Sequence, residues 1–82
     1  MLTEAQAAAH PAYNDSLRTA TRRAAESPGA CFTVYFDGAA IYVRTSEAAA
    51  PPHAMRVCIV QRWDDKTVQL RFTGARSEWV KL

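Results

Sequence analysis

The stretch that decides the fold is residues 30–45, ACFTVYFDGAAIYVRT. Asp37-Gly38 is a turn pair, because a two-residue type I′ turn needs positive φ and these residues tolerate it. A turn there pairs Phe36 with Ala39, Val34 with Ile41 and Phe32 with Val43 on one face. Tyr35, Thr33 with Tyr42, and Cys31 with Arg44 fall on the other. One face is apolar and the other carries tyrosine, threonine and arginine, so the stretch is a half-buried β-hairpin.

The remaining sequence continues in the same period. MRVCIVQRW, residues 55–63, alternates, with Met55, Val57, Ile59 and Trp63 assigned inward and Arg56, Cys58, Val60 and Arg62 outward. TVQLRF, residues 67–72, puts Val68, Leu70 and Phe72 inward, with Gln69 and Arg71 outward. Closing Trp63 on Val68 around the Asp64-Asp65-Lys66 turn keeps both apolar sets on one face. Gly74 turns the chain again, and EWVKL, residues 78–82, makes a short last strand.

The first 29 residues read as helix. Thr3 with Gln6 forms a capping box, and Pro11 ends or kinks the helix it opens. A second helical stretch runs to about Glu26, with Tyr13, Leu17, Ala20 and Ala24 on one stripe, and Ser27-Pro28-Gly29 stops it. Arg18, Arg22 and Arg23 lie off that stripe, on a solvated face where Arg22 reaches Glu26 one turn on. Residues 46–54, SEAAAPPHA, form a loop whose Pro51-Pro52 favours extended geometry and which is expected to be mobile. The expected fold is a single α+β domain, residues 1–82. A helical segment (1–29), interrupted at Pro11, packs as one layer on a four- to five-stranded antiparallel sheet (30–82). The expected core is Phe32, Val34, Ile41, Val57, Ile59, Leu70 and Phe72 against Leu17.

Size and composition bound the function. A chain of 82 residues buries only about 60% of its unfolded surface and has room for one core. Sixteen residues are alanine, which bury little area, so the core rests on the aromatic and branched residues after residue 30. A net charge of +2 selects no partner by itself, and eight arginines against two lysines is first the mark of a GC-rich coding sequence. No run of eighteen apolar residues is present, so no membrane partner is expected. The N-terminus lacks the basic region of a secretory signal, so a cytoplasmic location is expected, with Cys31 and Cys58 reduced.

Catalytic patterns are thin. His53 and Cys58 can be drawn as base and thiol, but no third group orients them and no oxyanion motif accompanies them. Asp64 and Asp65 sit where a turn favours aspartate. The histidines and cysteines lack zinc-site spacing, and there is no phosphate-binding glycine loop. No catalytic residue, metal or cofactor is therefore assigned.

The outward sheet face gathers Tyr35, Tyr42, Arg44, Arg56, Arg62 and Arg71, with Gln69 and Trp79 or Lys81 at the end. These six arginines and tyrosines are the expected partner-binding residues. Interleaved rings and guanidinium groups suit a protein partner, since arginine and tyrosine are enriched at binding hot spots. The same chemistry suits single-stranded nucleic acid, the alternative. Width adds a further expectation. Five strands span about 19 Å, whereas one helix covers about 10–12 Å. Unless the N-terminal turn folds across as well, Phe32, Phe36, Met55, Trp63 or Phe72 stays bare, and a homodimer is one economical cover. The expected function is a small non-catalytic protein that occupies a surface of a larger macromolecule. Its size and composition suit a bacterial or phage accessory protein, such as an inhibitor of a host enzyme or defence complex, an anti-CRISPR-like role included.

Overall fold

The computed structural model describes all 82 residues, Met1–Leu82. Two helices, α1 (Glu4–Ala8) and α2 (Tyr13–Glu26), precede five strands: β1 (Cys31–Phe36), β2 (Ile41–Thr45), β3 (Met55–Asp64), β4 (Thr67–Phe72) and β5 (Ser77–Lys81). The strands form one antiparallel sheet in the order β2-β1-β3-β4-β5. The helices pack on one face, giving the α+β arrangement that the hairpin and the alternating strands imply.

The capping box closes as read. The Gln6 N–H donates to the Thr3 hydroxyl at 3.2 Å, and the Thr3 N–H donates to the Gln6 side chain at 2.9 Å. The chain then turns at His10, whose Nδ1 accepts from the Ala12 N–H at 3.0 Å. That bond leaves the ring proton on Nε2, which donates to the Ala39 carbonyl at 3.0 Å and ties the helical segment to the first hairpin. The α2 stripe is thin, as its alanines dictate. Ala20 and Ala24 are fully buried, with Tyr13 and Leu17 packed at their flanks.

The hairpin register differs from the two-residue reading by two positions. Phe36 pairs with Ile41, Val34 with Val43 and Phe32 with Thr45, so residues 37–40 form a four-residue loop. The cause is the Asp37 carboxylate, which accepts from the N–H groups of both Ala39 and Ala40 at 2.8 Å. Gly38 still supplies a positive φ of 98°. Because the shift is even, every side chain of the hairpin keeps its face.

In β3 the expected parity fails. Tyr35 lies opposite Arg56 but Val34 lies opposite Cys58, so Val57 is an extra residue in a β-bulge. Met55 points to the helices as expected. Beyond the bulge it is Cys58 and Val60 that share rows with Val34, Phe32, Phe72 and Leu70, while Ile59 turns to the other face between Thr33 and Arg71. Alternation from that bulge puts Trp63 outside as well, and a second bulge at Trp63, between Arg62 opposite Val68 and Asp64 opposite Thr67, brings Asp64 to the same face.

The core comprises Phe32, Val34, Phe36, Val57, Cys58, Val60, Val68, Leu70 and Phe72 with Ala7, Ala20 and Ala24. Of the expected core, Ile59 is replaced by Val60, and Ile41 and Leu17 pack at its edge. Helix α1 folds across the end that α2 does not reach. Ala7 is fully buried, and Glu4 pairs with Arg76 at 2.7 Å, so Phe36 and Phe72 are covered without a second subunit. No helix is long and apolar enough to cross a membrane.

Candidate binding face

Pairing fixes the sheet face away from the helices as three rows. Tyr42, Tyr35 and Arg56 make the first, and Arg44, Thr33, Ile59, Arg71 and Ser77 the second. Cys31, Gln61, Gln69 and Trp79 make the third, with Asp64, Thr67 and Lys81 paired beyond it. Five of the six arginines and tyrosines expected on this face are on it.

Arg62 is the exception. The bulge at Val57 turns it to the helix side, where Nη1 donates to the Ala25 carbonyl at 2.9 Å, near the end of α2. Its other donors reach the carbonyls of Asp64 and Asp65 at 3.0 Å each. Arg62 is therefore a clasp between the helix end and the β3–β4 turn, and its place among the contact residues is corrected.

The half of the face built on β1 and β2 is occupied from within. Thr33 and Tyr35 point away from the helices, yet they are only 2% and 9% exposed. The cover is the 46–54 loop. The Thr33 and Ser46 hydroxyls lie 2.8 Å apart, Arg44 donates to the Ala49 carbonyl at 3.1 Å, and Pro51 is buried. Tyr42 is also engaged. Its hydroxyl donates to Asp37 at 2.9 Å, and the Arg44 guanidinium sits 5.6 Å from its ring centre. The N–H groups of Ala40 and Ala39, with the Tyr42 hydroxyl, hold the Asp37 carboxyl below the usual range. The same bond raises the Tyr42 phenol.

The half built on β3, β4 and β5 is open. Arg56 and Arg71 are exposed and neither forms an ion pair. They border a shallow depression with Ile59, Thr73 and Ser77. Trp63 and Trp79 lie outside it on the same half of the face, edge to face with ring centres 5.2 Å apart, 58% and 50% exposed. Trp63 is a contact candidate that unbroken strand alternation hides, since the bulge at Val57 is what brings it to this face. Across the whole face the strand residues include Arg44, Arg56, Arg71 and Lys81 against a single carboxylate, Asp64, which accepts from the Lys66 N–H at 2.8 Å.

Cys31 and Cys58 are free thiols on opposite faces. Cys31 donates to Gln61 at 3.2 Å, and burial, with the Glu4 charge adding, pushes the Cys58 thiol up to about 12. Such a thiol is held protonated, the opposite of what a nucleophile requires. No protein-family model, curated protein or solved structure matches the chain.

Proposed function

We propose that this chain is a small non-catalytic binding protein that docks on an acidic surface of a protein partner through the open outer face of β3, β4 and β5. The observation that carries the reading is the charge segregation of that face. Its strand positions carry Arg56, Arg71 and Lys81 against one carboxylate, Asp64, which accepts from the Lys66 N–H of its own turn, although the chain as a whole holds eight acidic residues against ten basic ones. A net charge near zero gives little field, but a patch with cations in excess steers and selects an oppositely charged partner. Arg56 and Arg71, free of internal partners, supply the directional donors, and Ile59 between them lines the depression that takes an apolar side chain of the partner. The accessory or inhibitor role fits this design, because occupying a surface needs no chemistry beyond complementarity.

Segregated charge also favours a second reading, single-stranded nucleic acid. Stacking platforms need free ring faces, however. Tyr35 is covered, Tyr42 is held between Asp37 and Arg44, and the two tryptophans meet edge to face. The protein reading therefore stands first.

The test is a charge reversal with a control on the other side of the molecule. Arg56→Glu with Arg71→Glu should abolish capture of the partner from cell lysate, and Arg22→Glu on α2 should not. Mixed-sequence single-stranded RNA and DNA should bind no tighter than about 100 μM at physiological salt, within the non-specific range. Oligonucleotide binding well below that, steep in salt and lost in the double variant, would replace the first reading with the second.

A further inference from the structure

The face proposed above leaves one edge of the molecule unexplained. Apart from Met1, every large apolar side chain exposed in this protein, Trp63, Trp79, Val80 and Leu82, lies on β5, next to it, or against it. The opposite edge strand, β2, exposes none. Natural edge strands are blunted by prolines, bulges or inward charges. β5 has no proline and pairs with β4 without a bulge; its inward charge, Glu78, is neutralised by Arg76 at 3.5 Å, and Lys81 lies at its end.

The hydrogen bonds at both ends of β5 fix which backbone groups it offers. The Phe72 N–H donates to the Arg76 carbonyl at 2.8 Å, and the Leu82 N–H donates to the Lys66 carbonyl at 2.7 Å. Hydrogen-bonded pairs alternate along an antiparallel ladder, so Glu78 and Val80 also turn their backbone groups to β4. The N–H and C=O groups of Ser77, Trp79 and Lys81 therefore point away from the sheet, six groups in one row.

We propose that a second copy of this chain covers this edge, β5 pairing antiparallel with β5 about a two-fold axis through Trp79. That register sets Trp79 opposite Trp79 and Ser77 opposite Lys81, so all six outward groups of each copy find partners. Neighbouring registers do worse. Centring on Val80 leaves Ser77 opposite nothing in the strand, and centring on Glu78 sets Lys81 against Ala75, which sits in the turn with φ 68°.

Self-complementarity extends to the side chains. On the outer face the two Trp63–Trp79 pairs meet and cover one another. On the helix side each Val80 faces the Glu78 of the other copy, beside a groove between α2 and β5 lined by Leu17, Leu70, Arg18 and Arg22. The Glu78 carboxylate, paired in its own chain only with Arg76 at 3.5 Å, thus arrives beside Arg22, which has no ion-pair partner. The axis stands perpendicular to the sheet, so the cationic outer faces of both copies join into one ten-stranded surface.

The chain has two tryptophans, both in this contact, so intrinsic fluorescence reads it directly. Wild-type protein should sediment as a dimer at about 100 μM, a concentration that populates weak specific interfaces. Its emission should shift to the red on dilution. Ser77→Pro removes an outward N–H and no bond to β4, and Trp79→Lys places two like charges on the axis. Each should raise the dimer dissociation constant at least about 10-fold. If the proline variant fails to fold, the lysine variant carries the test. Register is checked by mixing Ser77→Cys and Lys81→Cys proteins, each also carrying Cys31→Ser. Their Cα atoms lie about 5.5 Å apart in a hydrogen-bonded pair, whereas two Ser77 positions lie about 13 Å apart. The mixed disulfide should form and the 77–77 disulfide should not. A wild-type monomer at that concentration, a dimer indifferent to both variants, or a dominant 77–77 disulfide would overturn the proposal.

Discussion

Replacing Arg62 by alanine separates a clasp from a contact residue, and the structure gives the size of the effect. The bond to the Ala25 carbonyl is part-buried and lies near the C-terminal end of α2, while the bonds to Asp64 and Asp65 are solvent-exposed. A hydrogen bond from a charged donor contributes about 1.5–3 kcal/mol. A cation at a helix C-terminus adds about 0.3–1 kcal/mol, and exposed bonds add only tenths. With the low end taken for a half-exposed side chain, the loss is about 2 kcal/mol. A domain of this size holds only about 4–12 kcal/mol, so the thermal midpoint should fall by about 8–16 °C. Arg62→Lys keeps the charge but not the three-way fork, and should recover under half of the loss. Circular dichroism melts measure this, and binding of the partner at a temperature where both proteins are folded should be unchanged. A midpoint within about 3 °C of wild type, together with lost binding, would return Arg62 to the contact surface.

Other substitutions probe the same geometry. Val60→Ala should cost about 2 kcal/mol and Ile59→Ala less than about 1 kcal/mol, which denaturant titration resolves; the reverse order would mean that the bulge at Val57 is misplaced. Leu70→Ala should cost about 2–5 kcal/mol, enough to unfold much of a marginal population. Because the folded state holds Asp37 below its ordinary range, the contribution of this carboxylate is present above the unfolded pKa and lost as pH falls through the folded one. Melting midpoints of wild type and Asp37→Ala should therefore differ at neutral pH and converge in acid. For Cys58, alkylation at pH 8 should modify Cys31 first and reach Cys58 only after unfolding, as mass spectrometry would show.

The legible parts of the fold are those where chemistry and period agree. In β1 and β4 one parity is apolar and the other polar, so Val34 and Leu70 had one place to go. β3 lacks that contrast between residues 57 and 60, where Val57 and Ile59 compete with Cys58 and Val60 at nearly equal hydrophobicity. Alternation cannot choose between two apolar sets, and a single bulge reverses everything downstream of it. Ile59, Arg62 and Trp63 all change face for that one reason. The hairpin loop departs from its expected length for another reason. Asp37-Gly38 signals a short turn, but an aspartate that captures two backbone N–H groups stabilises a longer one at no cost in parity.

The fate of the hairpin's polar face follows from topology rather than from residue type. β2 is an edge strand and β3 lies on the far side of β1, so residues 46–54 must cross β1 on one face or the other. Helices α1 and α2 occupy the inner face, which leaves only the outer one. Pro51-Pro52 suits this path, because proline has no N–H to leave unpaired when it is buried against a sheet. Thr33 and Tyr35 then serve as floor for the crossing chain, with the Thr33 hydroxyl meeting Ser46 at 2.8 Å. Their polar character, which reads as contact chemistry in isolation, is what lets backbone and hydroxyl groups cross there without loss of hydrogen bonds. The crossing displaces the open surface by two strands, onto β3, β4 and β5. There Arg56, Arg71, Trp63 and Trp79 have no element of the chain left to cover them.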